Sequence, residues 1–191
     1  MWNRPQGSGF LVTALIVVAA ALAGATPAAA DDQSVDRVFR ADDGRFRSLR
    51  QDLDRAHAGW VRREARRPGP VLRVLARLRR LELSRHRRLS AEEGSSSLGR
   101  EARRRLLRSL KLYVAATEST GRYVRFSTKG AELFRRGDEA GSRPAFEAGA
   151  RGLRRAKRQE QAWKREDRAG RRLLREALER ADTSSATFRR R

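Results

Sequence analysis

Residues 142–182 read SRPAFEAGARGLRRAKRQEQAWKREDRAGRRLLREALERAD, a segment dominated by alanine, leucine, glutamate and arginine. These residue types are strong helix formers, and the apolar ones recur every three or four residues. The resulting stripe consists of Phe146, Ala150, Leu153, Ala156, Glu160, Trp163, Asp167, Gly170, Leu174, Ala177 and Ala181. The spacing predicts one long amphipathic helix, and the two acids within the stripe indicate that its middle is only partly buried.

Three further amphipathic segments precede this helix. The first carries an apolar stripe from Val35 to Trp60, interrupted at Gly44, where the helix can restart with an aspartate cap from Asp42-Asp43. The second runs from Val71 to about residue 89, and the third carries a stripe from residue 102 to residue 134. Turn-forming stretches separate the segments at 68–70, 90–99 and 137–141.

Four amphipathic segments joined by short polar links predict an all-α fold. We expect an elongated antiparallel bundle of three to four helices, with a long antiparallel coiled coil as the alternative. Residues 31–191 contain seven valines, five threonines and no isoleucine. Because a large sheet needs many more β-branched residues, a β or α/β fold is disfavoured.

The N-terminus has the three parts of a secretory signal peptide. Arg4 supplies a positive start, residues 10–23 are almost wholly apolar, and Ala28-Ala29-Ala30 forms a small-residue cleavage site. The sequence therefore predicts cleavage after Ala30 and an exported protein, secreted or associated with the cell envelope; an uncleaved N-terminal membrane anchor is the alternative. The predicted organisation is a signal peptide over 1–30, a helical bundle over 31–182 and a basic flexible tail over 183–191.

The composition argues against an enzyme and against a bound metal or cofactor. The chain has no cysteine and two histidines, which excludes disulfides, thiolate ligands and a histidine-rich metal site. Its neighbouring carboxylates point apart on a helix, and the sequence contains neither a phosphate-binding glycine loop nor a nucleophile elbow. We therefore expect a non-enzymatic protein without a cofactor.

Positive charge is the most distinctive feature of the composition. The chain holds 45 Lys+Arg against 23 Asp+Glu, a formal net charge of +22, and all but four of the basic residues are arginine. Residues 61–111 hold 17 basic and 5 acidic residues (+12) and residues 151–191 hold 15 and 6 (+9), whereas the rest of the chain after residue 30 is near neutral. Most of the clustered basic residues fall away from the apolar stripes. The candidate polyanion-binding residues are Arg62, Arg63, Arg66, Arg67, Arg77, Arg79, Arg80, Arg103, Arg104, Arg105, Arg154, Arg155, Lys157, Arg158, Arg171 and Arg172.

Guanidinium groups bind phosphate and carboxylate in a forked geometry and remain charged at physiological pH. The sequence therefore predicts that basic helix faces bind acidic envelope components, either anionic polymers or phospholipid headgroups. An acidic protein partner is an alternative, as is a merely solvated arginine-rich surface, and the export signal argues against nucleic acid as the partner in vivo.

A different functional class is an exported protein-binding or chaperone-like bundle with a groove near Trp60 and Trp163. In gross character the chain resembles small exported helical chaperones with basic cradles, although it lacks their repeated L-T-x-x-Q signature. No residue roles are carried over from that resemblance.

Overall fold

The computed structural model describes the backbone of residues 27–188 and the side chains of residues 31–184. Within that part of the chain there are five helices and no strand, which confirms the predicted all-α bundle. The helices are α1 (Pro27–Arg40), α2 (Asp43–Arg62), α3 (Gly69–Ala91), α4 (Ser97–Arg135) and α5 (Glu139–Phe188). In this part of the chain, no helix has the length and apolar character needed to cross a bilayer. The signal peptide predicted over residues 1–30 lies outside the described residues, apart from the backbone of 27–30, and stays a prediction.

The last two helices form a long antiparallel hairpin. α4 has 39 residues and α5 has 50, which correspond to lengths of about 58 and 75 Å at the helical rise. In the tight turn between them Gly137 adopts a φ of +78°, and the Asp138 carboxylate accepts a hydrogen bond of 2.8 Å from the Gly141 amide. Farther along the hairpin, Ser119 Oγ donates to Gln159 Oε1 at 2.7 Å. The short turn and this contact fix the two helices as antiparallel neighbours.

Glycines of α5 let its backbone approach α4 closely. Gly149, Gly152 and Gly170 all face α4. A Cβ atom at position 152 would lie 3.0 Å from the Tyr123 nitrogen and 3.2 Å from the Ser119 oxygen, which are backbone atoms of α4. Because glycine has no Cβ, the two backbones can pack against each other at these positions.

A shorter hairpin, α2–α3, packs against the long one, and the apolar stripes meet in three core clusters. The first contains Val35, Phe39, Leu89, Ala102, Leu106, Leu110 and Leu174. The second contains Leu49, Leu78, Leu81 and Tyr113, with Phe46 and Trp163 packed against it. The third contains Trp60, Val71, Leu75 and Val124. The second segment is therefore amphipathic as predicted, and its buried face contains Val71, Leu75, Leu78, Leu81 and Glu82.

Helix α1 is attached to the bundle through a buried carboxylate. Asp32 is 1% exposed, and its side chain accepts hydrogen bonds from the Ser95 amide (3.1 Å) and the Ser96 hydroxyl. The Ser96 hydroxyl in turn caps α4 by accepting from the Gly99 amide at 2.8 Å. One acidic side chain of α1 therefore helps to satisfy the N-terminus of α4, where negative charge is favourable.

The predicted restart near Gly44 is present and an aspartate stands at the N-cap, but the side-chain hydrogen bond of the predicted cap is absent. α2 begins at Asp43, and Asp42 occupies the N-cap position without making a side-chain cap hydrogen bond. The Asp42 carboxylate instead pairs with Arg88 of the neighbouring α3. The backbone of Asp42 (φ −109°, ψ 11°) also lies outside the extended region that capping residues usually adopt.

The two ends of the long hairpin also differ from the sequence expectation. Phe134 and Phe146, predicted on buried stripes, are 58% and 42% exposed. The end of α2 contacts α4 through a hydrogen bond of 3.2 Å from Trp60 Nε1 to Thr128 Oγ1. Phe134 and Phe146 lie farther along the hairpin, near the α4–α5 turn. At its other end α5 continues to Phe188, into the segment 183–191 predicted as a tail. The flexibility of that segment stays a prediction.

Candidate polyanion-binding surfaces

A row of exposed basic side chains follows one face of α5. Its members are Arg151, Arg154, Arg158, Arg165, Arg168, Arg172 and Arg175, with Gln161 at the remaining position, and all eight are exposed. Successive members are three or four residues apart, so the row is about 36 Å long at the helical rise. We call this row the arginine ridge.

The arginine ridge lies on the side of α5 that faces away from the rest of the bundle. Ala156, Gly170, Leu174 and Ala177 mark the buried side of the helix. With about 100° of rotation per residue, the ridge is centred about 180° from these residues. The core therefore fixes the direction of the ridge, because the helix cannot rotate without exposing its apolar side.

The charge of the arginine ridge is almost unneutralised within the protein. Arg151 lies 3.7 Å from Glu147, and the other six ridge arginines make no ion pair with any described residue. Like charges three and four residues apart on a helix repel each other. The ridge therefore does not stabilise the isolated protein, and a ligand with a row of negative charges would relieve the repulsion.

A second basic surface is the groove between α2 and α3, which we call the α2–α3 groove. It has a volume of about 630 Å³ and is lined by Asp42, Arg45, Ser48, Leu49, Arg77, Arg80, Leu81, Ser84 and Arg88. Within the described part of the chain, Arg45, Arg77 and Arg80 have no hydrogen-bonding or ion-pair partner. The groove lining thus contains four guanidinium groups and one carboxylate, that of Asp42, which pairs with Arg88.

Six of the sixteen candidate residues have partners within the protein. Arg66 pairs with Glu64, Arg79 with Glu118, Arg104 and Arg105 with Glu101, Arg171 with Asp43 and Asp167, and Arg103 donates to the carbonyl oxygens of Leu89 and Ser90. The contacts of Arg79, Arg103, Arg105 and Arg171 link separate elements or cap a helix end, whereas those of Arg66 and Arg104 are exposed pairs within one turn or one helix. The positive charge of these six side chains is therefore partly satisfied within the protein.

The other ten candidate residues are exposed and make no such contact among the described residues: Arg62, Arg63, Arg67, Arg77, Arg80, Arg154, Arg155, Lys157, Arg158 and Arg172. The fold separates them into groups. Arg77 and Arg80 lie in the α2–α3 groove, three others belong to the arginine ridge, and Arg155 and Lys157 are next to them in sequence on α5. Arg62, Arg63 and Arg67 surround the α2–α3 turn, where Glu64 and Ala65 adopt positive φ angles of 49° and 61°.

Sequence reasoning missed residues of both surfaces. It selected runs of adjacent arginines, whereas the ridge members Arg151, Arg165, Arg168 and Arg175 are recognisable by the three- and four-residue spacing that also identified the apolar stripes. The groove residue Arg45 was not identifiable in this way. It lines the groove only because α2 and α3 are neighbours, which is a property of the tertiary fold.

A separate group of charges is buried inside the bundle. Glu82 is 1% and Arg85 is 3% exposed, and Arg85 donates to the Glu82 carboxylate at 3.1 Å and to the Asp43 carboxylate at 2.9 Å. The guanidinium carbons of Arg85 and Arg171 lie 4.7 and 4.6 Å from the centre of the Phe39 ring. Burial raises the pKa of Glu82 to about 7, although the charge of Arg85 opposes this shift. This network joins α1, α2, α3 and α5 and is closed to a large ligand.

Trp60, Trp163 and His57 pack against other aromatic rings. Trp60 is 4% exposed, and the ring of His57 lies 5.4 Å from it. The Trp163 ring is 4.8 Å from Tyr113, so both tryptophans belong to the core rather than to the edge of a groove. Burial, followed by the charge of Lys111, lowers the pKa of His86. Among the described residues, no three metal-ligating side chains are grouped to hold a metal ion.

The chain matches no known family model, and no curated protein and no solved structure matches it.

Proposed function

We propose that this protein is an exported, non-enzymatic helical bundle that binds acidic material of the cell envelope through its basic helix faces. The observation that carries the proposal is the arginine ridge, in which six arginines without an ion-pair partner among the described residues form one line on an outward face of α5. Guanidinium groups held in a line by a helix are preorganised for a ligand with repeating negative charges.

The ridge favours an anionic polymer over a lipid bilayer as the ligand. Helices that bind membranes along their length place large apolar side chains beside the basic ones. Among the described residues, the exposed large apolar side chains are Val61, Phe126, Phe134 and Phe146, and none of them lies on α5 between residues 151 and 175. A row one side chain wide matches a linear chain of phosphates or carboxylates.

Binding of the purified exported protein to poly(glycerol phosphate) across a salt series tests the proposal. If six arginines each displace a counterion, the logarithm of the binding constant falls with the logarithm of salt concentration with a slope of about −4. The triple variant Arg154→Gln, Arg158→Gln and Arg165→Gln should bind more weakly at low salt and reduce the magnitude of that slope by about 2.

The matched control is the triple variant Arg47→Gln, Arg73→Gln and Arg87→Gln. These three arginines lie on α2 and α3, are exposed, and have no ion-pair partner among the described residues. Both triple variants remove three charges and keep good helix formers. Equal weakening by the two variants would show that total charge, rather than the ridge, determines binding, and binding indifferent to salt would contradict the proposal. Preference for phosphatidylglycerol vesicles over the polymer would identify a membrane as the ligand.

A further inference from the structure

The α2–α3 groove differs from the arginine ridge in shape and chemistry. The ridge is an open row on one helix, whereas the groove is a concave surface to which two helices contribute guanidinium groups. Its volume of about 630 Å³ lies within the range of about 300–1,000 Å³ that is typical of small-molecule sites. The groove is thus large enough for a compact ligand and too small for a folded partner.

The side chains of the groove form a set of donors suited to a phosphate group. Arg77 and Arg80 are three residues apart on α3 and therefore project to the same side of that helix, and Arg45 approaches from α2. Ser48 and Ser84 add hydroxyl groups to the lining. Arginine forks combined with hydroxyl donors satisfy several oxygens of one phosphate at the same time.

The groove contrasts with other contacts between helices in this protein. Arg79, Arg105 and Arg171 each reach a carboxylate on a facing helix. In the α2–α3 groove the carboxylate of Asp42 is engaged by Arg88, which leaves three guanidinium groups without an anionic partner among the described residues. Two leucines, Leu49 and Leu81, also line the groove and offer an apolar contact to an organic part of the ligand.

We propose that the α2–α3 groove is a binding site for a compact phosphorylated ligand, a phosphate monoester or a diphosphate, held by Arg45, Arg77 and Arg80. The negative charges of such a group neutralise the three guanidiniums that the protein itself leaves unpaired. This site is separate from the ridge and goes beyond the proposed function, because it recognises one compact phosphate or diphosphate group rather than a polymer.

Calorimetric titration of the purified protein with pyrophosphate at about physiological salt tests this site. We expect saturable binding with one ligand per chain, and at least a tenfold higher Kd for the double variant Arg77→Gln and Arg80→Gln. The control, Arg73→Gln and Arg87→Gln, removes two exposed arginines of the same helix that do not line the groove, and it should leave the Kd within twofold. The ridge triple variant should also leave it unchanged, which separates this proposal from the polymer proposal.

The double variant Arg77→Lys and Arg80→Lys tests whether binding depends on the geometry of the guanidinium groups or on positive charge alone. It keeps both positive charges but lacks the planar fork, so we expect a clear loss of affinity. Unaltered affinity in this variant, equal loss in the control, or no saturable binding at millimolar pyrophosphate would each overturn the proposal. Thermal unfolding of every variant confirms that the fold is retained. Parallel titrations with glycerol phosphate and with phosphatidic acid vesicles then show whether a soluble ester or a lipid headgroup is the better source of the phosphate.

Discussion

Asp32 adds a buried polar contact to the attachment of α1, which also packs through Val35 and Phe39. Its buried carboxylate accepts hydrogen bonds from Ser95 and Ser96 at the start of α4. Asp31, its neighbour, is exposed. The sequence alone does not distinguish these two adjacent aspartates, yet of the two only Asp32 connects α1 to the N-terminus of another helix.

Replacing Asp32 with alanine should lower the free energy of unfolding by about 1–3 kcal/mol, because the Ser95 amide and the Ser96 hydroxyl lose their buried acceptor. Asp31→Ala should change it by less than about 0.5 kcal/mol, as expected for an exposed position. Urea unfolding followed by circular dichroism measures both values. Equal effects of the two substitutions would mean that the contact with α4 contributes nothing to stability.

Glu82 should make the stability of the protein depend on pH. Its pKa is raised to about 7 by burial in the folded protein, whereas in the unfolded chain it is near 4.5. Between these values the folded state retains a proton that the unfolded chain has released, so the contribution to stability is lost as pH rises through this window. The groups that face Glu82 are Arg85, Asp43 and Asp167, and the two acids also favour its protonated form.

The variant Glu82→Gln has no group to titrate at this position. Relative to this variant, the natural protein should lose on the order of 1–3 kcal/mol of unfolding free energy between pH 4.5 and pH 7.5. Urea titrations at four or five pH values across this window provide the measurement. A difference between the two proteins that does not vary with pH would show that Glu82 titrates normally.

At the scale of the helix, the spacing of apolar residues was sufficient to predict the elements but not their contacts. Val71, Leu75 and Leu78 follow the helical period, and all three are buried. The spacing predicted the side of the helix correctly for Phe146, whose ring lies against Gly130 of α4, but it could not predict that Phe134 and Phe146 remain 58% and 42% exposed. The same limit applies to the candidate site, in which Arg79 and Arg171 resemble Arg77 and Arg172 in sequence but have carboxylate partners on other helices.

Close packing of α4 and α5 predicts a strong effect at Gly152. Gly152→Ala places a Cβ against backbone atoms of α4 that cannot move independently, so we expect a loss of about 1–3 kcal/mol in unfolding free energy. Gly59→Ala is the matched control, because no atom lies within 4 Å of the Cβ at that position. It should stabilise the protein by about 0.5–1 kcal/mol, the usual advantage of alanine in a helix. Chemical unfolding of both variants measures whether the two changes in unfolding free energy have opposite signs. Stabilisation by Gly152→Ala would contradict the close approach of the α4 and α5 backbones.

For the whole molecule, we expect the arginine ridge to lower the thermal stability of the protein in the absence of a ligand. Six unneutralised arginines on one face repel each other, so the triple variant Arg154→Gln, Arg158→Gln and Arg165→Gln should melt at a higher temperature than the natural protein at low salt. This advantage should shrink as salt screens the repulsion. Added poly(glycerol phosphate) should then raise the Tm of the natural protein more than that of the variant, since a ligand stabilises the state that binds it.

Differential scanning calorimetry at low and high salt, with and without the polymer, measures these effects. The triple variant Arg47→Gln, Arg73→Gln and Arg87→Gln reports the effect of net charge alone. If this control gains as much thermal stability as the ridge variant, the repulsion is spread over the whole surface and the linear arrangement on α5 has no special effect.

If the N-terminal segment is a leader, as the sequence predicts, the burial of Asp32 constrains when that leader can be removed. The bond between Ala30 and Asp31, where the sequence predicts removal of the leader, lies within the backbone of α1, one residue before a side chain that is buried against α4. A peptidase needs an accessible, extended backbone, which this helix does not offer once it is docked. If the predicted cleavage after Ala30 takes place, it therefore has to precede the docking of α1 against α4.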